Sequence, residues 1–186
     1  MSNIYALIVA APLTAKKYCR GGESNWELRH IRAKYGMKDP DGERPITAKV
    51  GGCFAIIIVD LYPHMLKTLL SVVRGKPVEG VPSPESSAQM KAFQKKLDKQ
   101  IPYVYGDSQS QAPWLWQIPE EIIEHLAELE TKREFLDLAK LWQESHDEYT
   151  QPWCSLKVTK NLLRNLQLAS VEAVNSKKKA FLYCST

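Results

Sequence analysis

A chain of 186 residues, 44% hydrophobic and 25% charged, has the composition of an ordinary globular protein. At this length it buries about 70% of the surface its unfolded form exposes, so a core forms without disulfide or metal staples. Its formal net charge of +4 is too small to demand a nucleic-acid or membrane partner, and its longest apolar runs, 4–13 and 53–61, reach about half of the ~20 residues a bilayer span needs.

The first of those runs reads as a strand rather than a secretory core, because no Lys or Arg precedes it. Residues 4–10 are apolar and β-rich up to Pro12, the pattern of a strand buried on both faces and central in a sheet. Ser24-Asn25-Trp26-Glu27 has capping-box spacing and opens a helix that Gly36 closes. Asp39-Pro40-Asp41-Gly42 is a turn by its chemistry. Residues 46–50 then alternate apolar and polar, Gly51-Gly52 permits a two-residue turn, and 53–59 is densely β-branched: a hairpin whose second strand is the more buried. Pro63 suits a first helical turn, Met65, Leu66, Leu69, Leu70 and Val73 form a helical stripe, and Gly75 with Pro77 ends it.

After an exposed Pro/Gly/Ser loop comes a Lys-rich helix over 86–100, with a short strand at 103–105. The first 105 residues therefore spell βαββαβ, the order of a split sheet, with one extra helix interrupting it. Two amphipathic helices follow. One spans 119–130 with Ile122, Ile123, Leu126 and Leu129; the other opens on the capping box Thr131-Lys132-Arg133-Glu134 and carries Phe135, Leu138, Leu141 and Trp142. A third, over 159–176, places Leu162, Leu163, Leu166, Ala169, Ala173 and Val174 on its core stripe, Lys177-Lys178-Lys179 complements its carbonyl end, and 180–184 returns to the sheet. The expected fold is α+β, a small mixed sheet packed against amphipathic helices. It forms one domain over 1–186, with 1–105 as the sheet-forming layer and 106–186 mainly helical with a terminal strand.

Cys19, Cys53, Cys154 and Cys184 contain no Cys-x-x-Cys pair and read as reduced thiols of a cytoplasmic protein. His30, His64, His125 and His146 are mutually remote, so no metal and no cofactor are expected. His146 near Cys154 lacks the spacing that a thiol nucleophile and its base require. Asp60 follows a buried strand, where some enzymes place a carboxylate, but a helix N-cap is the commoner use of aspartate there.

Charge is uneven: residues 1–80 carry 12 Lys or Arg against 7 Asp or Glu, 81–152 carry 7 against 13, and 153–186 carry 6 against 1. Lys16, Lys17, Arg20, Trp26, Arg29 and Arg32 surround Gly21-Gly22 ahead of the first predicted helix, a setting that suits an anion or a nucleic-acid strand. Against this, Glu23 puts negative charge where an anion would sit, and no phosphate-loop glycine spacing is present. Trp114, Trp116 and Trp153 stand beside Pro113, Pro119 and Pro152, and aromatic groups in connecting segments are frequent protein-binding anchors. The reading these features favour is a non-catalytic cytoplasmic binding protein acting through a protein partner, of antitoxin, immunity, adaptor or inhibitor type. The alternative is an RNA- or DNA-binding module using the basic N-terminal patch. Behind both stands a hydrolase or nuclease using Asp60, Glu23 or His30.

Overall fold

The computed structural model describes residues 4–20, 27–28, 30–31, 33, 45–58, 61–78, 82, 86–106, 113–145 and 155–185. Strand β1 (Ile4–Ala10) is buried at every position from Tyr5 to Ala10, and its side chains alternate between two faces that both need cover. That need places it mid-sheet. It pairs antiparallel with β3 (Cys53–Ile58) on one side and β6 (Lys179–Ser185) on the other, so that Leu7 faces Ile56 and Leu182. Beyond β3 lies β2 (Ile46–Val50); beyond β6 lie β5 (Trp114–Gln117) and then β4 (Tyr103–Tyr105).

The α+β class is realised, as a six-stranded sheet with six helices among the described residues. The sheet is antiparallel throughout rather than mixed, and its β2-β3-β1-β6 part has the order of the expected βαββαβ split sheet. A split sheet keeps the two strands joined by its first crossover parallel but apart, and here β3 lies between β1 and β2 and runs antiparallel to both. The other neighbour of β1 is β6, not Tyr103–Tyr105. Residues 180–185 are buried on both faces, and with Lys179 they match β1 over a seven-residue register, whereas β4 offers three half-buried residues and an irregular register at the sheet edge. Strands from both halves of the chain therefore interleave in one sheet, and the helices α2 (Pro63–Val73) and α3 (Ser87–Gln100) from the first half join the helical layer.

One sheet face carries Tyr5, Leu7, Val9, Ile56, Trp116 and Leu182. They pack with Leu66 and Leu69 of α2, Leu97 of α3, Leu126 of α4 (Glu120–Ala127), Trp142 of α5 (Lys132–Glu144) and Leu166 of α6 (Leu156–Ser176). The opposite face carries Ile8, Ala55, Phe181 and Tyr183 and is covered by α1 (Pro12–Arg20) through Ala15, Tyr18 and Cys19, joined by Leu28. Helix α1 was not predicted: Pro12 read as a strand terminator, yet proline is at home at the first helical position.

Local chemistry accounts for the boundaries that were predicted. Gly51 (φ 51°) and Gly52 (φ 78°) make the two-residue turn, closing Val50 onto Cys53. The α5 capping box is complete: Thr131 Oγ1 accepts from the Glu134 amide at 3.1 Å and Glu134 Oε2 accepts from the Thr131 amide at 3.0 Å. Helix α6 starts three residues before the predicted 159, because the Ser155 hydroxyl accepts from the Val158 amide and supplies the cap. Its last turn closes on Lys177 in the left-handed region (φ 53°), while Lys179 belongs to β6 and pairs with Glu120. The N-cap of α2 is Tyr62. The Ser24 capping box, the 39–42 turn and Asp60 lie outside the described residues.

Candidate interaction surfaces

Helix α1 gathers half of the predicted basic patch. Lys17 and Arg20 are exposed and Lys16 is half-buried. Because they form part of a helix rather than a loop, they fall with Leu13 at i, i+3, i+4 and i+7, all on one face. Leu13 is 82% exposed, while Ala15, Tyr18 and Cys19 on the opposite face are buried. The Arg20 guanidinium lies 5.6 Å above the Tyr105 ring of β4, a contact that orients the side chain. The helix is held from below as well. The Tyr18 ring sits against Gly51 of the hairpin turn, and its hydroxyl donates to Glu27 at 3.2 Å. Burial, reinforced by Glu27, pushes the Tyr18 phenol far above its ordinary range, so it stays neutral. Trp26, Arg29 and Arg32, the rest of the predicted patch, lie outside the described residues.

Of the tryptophans expected to face a partner, Trp116 is 8% exposed and belongs to the core, Trp114 is half-buried, and Trp153 lies outside the described residues. Alternation along β5 sends Trp114 and Trp116 to the helical side of the sheet. There Trp116 stacks 5.1 Å from Tyr103 and 6.2 Å from Trp114, as ring centroids. Only Trp114 of this pair contributes appreciable surface.

The third surface lies on α6. On α6 the buried set is Thr159, Leu162, Leu163, Leu166, Ala169, Ser170 and Ala173, and the helix turns Leu168, Val171 and Val174 outward with 38%, 39% and 50% of their surface exposed. Spaced by three, they form one oblique ridge. Val174 was placed on the core stripe, as was Leu141 of α5, which is 54% exposed. Both corrections have one cause: Val174 follows the buried Ala173 and Leu141 precedes the buried Trp142 by one position, and one position turns a side chain about 100° around the helix. The off-stripe positions of Leu168 and Val171 were the available signal.

Reactive chemistry has little support among the described residues. No three His, Cys, Asp or Glu side chains are placed to hold a metal ion. His125 is half-buried on α4, His30 is exposed, and His64 stacks on Tyr62. His146 and Cys154 lie outside the described residues. Burial pushes the Cys19 thiol from the ordinary 9.0 up to about 12 and that of Cys184 to about 11, the latter partly offset by Tyr5, and it raises Cys53 too. The thiolate is the nucleophile, so these sulfurs are inert at neutral pH.

Peptide-resolved alkylation with iodoacetamide at pH 7.5 is expected to label Cys19, Cys53 and Cys184 more than about 100-fold faster in urea than in buffer. Equal rates would show that the thiols are accessible. The sign of the linkage follows. Unfolding returns these thiols to a lower pKa, so above pH 9 the unfolded chain holds fewer protons than the folded one. The stability they contribute is intact below pH 9 and falls as the pH rises toward the folded values of about 11 and 12.

No protein-family model, no curated protein and no solved structure matches this chain. Among the described residues no helix is long and apolar enough to cross a membrane.

Proposed function

We propose that this chain is a non-catalytic cytoplasmic binding protein that acts through a protein partner, in the manner of an antitoxin, immunity, adaptor or inhibitor protein. The observation that carries this reading is the ridge of Leu168, Val171 and Val174 on the outward side of α6. Single exposed apolar side chains are common on any surface. Three at helical spacing on one element instead make a contiguous strip of the kind that protein interfaces bury. Arg164, one turn before Leu168, and Glu172, one turn after it, put charge beside the apolar side chains, as at the rim of an interface. The inert thiols add support, since they remove three residues from any list of nucleophiles.

The test is a double variant, Leu168→Asp with Val171→Asp, used as bait in native lysate beside the wild type. Retention of the partner is expected to fall at least tenfold. The unfolding midpoint should barely move, because exposed positions tolerate substitution within about 0.5 kcal/mol. Undiminished retention would remove the ridge as the binding surface.

The alternative, an RNA- or DNA-binding module, rests on the cation row of α1.

A further inference from the structure

The outward face of α1 combines three cations with one almost fully exposed leucine, and nothing in the helix opposes them: residues 12–20 include no Asp or Glu. We propose that this face seats in an acidic groove of the protein partner, with carboxylates opposite Lys16, Lys17 and Arg20 and an apolar pocket for Leu13. The proposal rests on the protein-partner reading and specifies the partner's chemistry.

Three observations carry it. The first is charge. A helix face bearing only positive groups gains from a negative counterpart and is repelled by a positive or mixed one, so complementarity selects an acidic surface.

The second is Leu13, 82% exposed in line with the cations. A sugar-phosphate backbone satisfies lysine and arginine but leaves that leucine wet. A groove on a protein accepts a helix by its i, i+3, i+4 and i+7 side chains and buries the apolar one. The apolar anchor therefore favours protein over nucleic acid.

The third is pre-organisation. The buried side of α1 is fixed by Ala15, Tyr18 and Cys19, the Tyr18 ring rests on Gly51, and Arg20 lies over the Tyr105 ring. A face held in this way loses little conformational freedom on docking, which favours affinity.

Carbodiimide is the decisive reagent, because it joins a lysine amine directly to a carboxylate in contact with it. The full-length chain is incubated in nuclease-treated native lysate, treated with carbodiimide, recovered, and its cross-linked peptides identified by mass spectrometry. The wild type is compared with Leu13→Asp and with Lys17→Glu/Arg20→Glu, each checked for an unchanged thermal transition.

Cross-links from Lys16 or Lys17 to Asp or Glu residues of one other protein are expected, and that protein's recovery should drop at least tenfold in both variants. If a protein is retained by wild type and equally by both variants, with no cross-link from these lysines, α1 is not the contact and the proposal is overturned while the protein-partner reading stands. If no protein is retained at all, both fall. Cross-links from these lysines to a second copy of this chain would overturn the proposal in favour of self-association. Without nuclease, recovery of RNA or DNA that Lys17→Glu/Arg20→Glu abolishes and Leu13→Asp leaves intact would overturn it in favour of nucleic acid.

Discussion

Trp142→Ala is expected to destabilise the protein by about 3–5 kcal/mol, while Leu141→Ala, one residue away, costs no more than about 0.5 kcal/mol. The contrast follows from how α5 lies on the core. Trp142 has no exposed surface and is among the largest fully buried side chains, whereas Leu141 is 54% exposed. Truncating the indole removes most of its volume from the helical layer, and neighbours on several helices would have to collapse together to fill the gap. Its Nε1 also donates to the Met65 carbonyl of α2 at 3.2 Å, a buried bond spanning 77 residues of sequence that fixes α5 against α2. Trp142→Phe keeps part of the ring and loses the donor, so about 1–3 kcal/mol is expected. Urea unfolding followed by circular dichroism separates these cases, provided the m-values agree. Equal costs at 141 and 142 would show that α5 presents a different face to the core.

The second large effect is at the hairpin turn. Gly51 and Gly75 both have positive φ, +51° and +61°, so alanine at either position pays the left-handed backbone penalty of about 1–2 kcal/mol. They differ in their surroundings. A methyl group at Gly51 would lie 2.4 Å from Cδ2 of Tyr18, a ring packed between α1 and the sheet, while at Gly75 it would meet nothing within 4 Å. Gly51→Ala must therefore also displace Tyr18, which adds about 1–3 kcal/mol of overpacking. The expected totals are about 2–5 kcal/mol at Gly51 and about 1–2 kcal/mol at Gly75. The excess should shrink when Tyr18→Ala is already present, since the two sites share one contact. If the two glycines prove equally costly, Tyr18 does not rest on the turn, and α1 is less firmly held than its role as a presented face requires.

Much of this architecture was legible because it is local. The hairpin announced itself through alternation and paired glycines, α2 through Pro63 and its apolar stripe, and α5 through Thr131 and Glu134, whose reciprocal bonds were read from spacing alone. Strand order was not legible, because it depends on which distant segment best covers both faces of β1. Residues 179–185 do so over seven positions, and no feature of 103–105 marks it in advance as an edge. Helix α1 was missed because Pro12 and two lysines hide a nine-residue helix whose buried side is only Ala15, Tyr18 and Cys19.

The candidate surfaces divide in the same way. Lys16, Lys17 and Arg20 were found by charge, but their alignment with Leu13 appears only once the segment is helical. The α6 ridge is hard to see in the sequence because Val174 falls beside the core stripe, and Leu168 and Val171, though off it, form a ridge only once the helix turns all three outward. Trp114 and Trp116 were judged by their proline neighbours, whereas pairing with Cys184 and Leu182 of β6 sends both rings inward.

The most direct measurement is affinity capture from native lysate at low and moderate salt, with and without nuclease, and with the stoichiometry of everything retained determined by mass spectrometry. A single protein in stoichiometric amount, surviving both nuclease and moderate salt, is the predicted result. Retention only of RNA or DNA, lost on nuclease treatment, would contradict the protein-partner account.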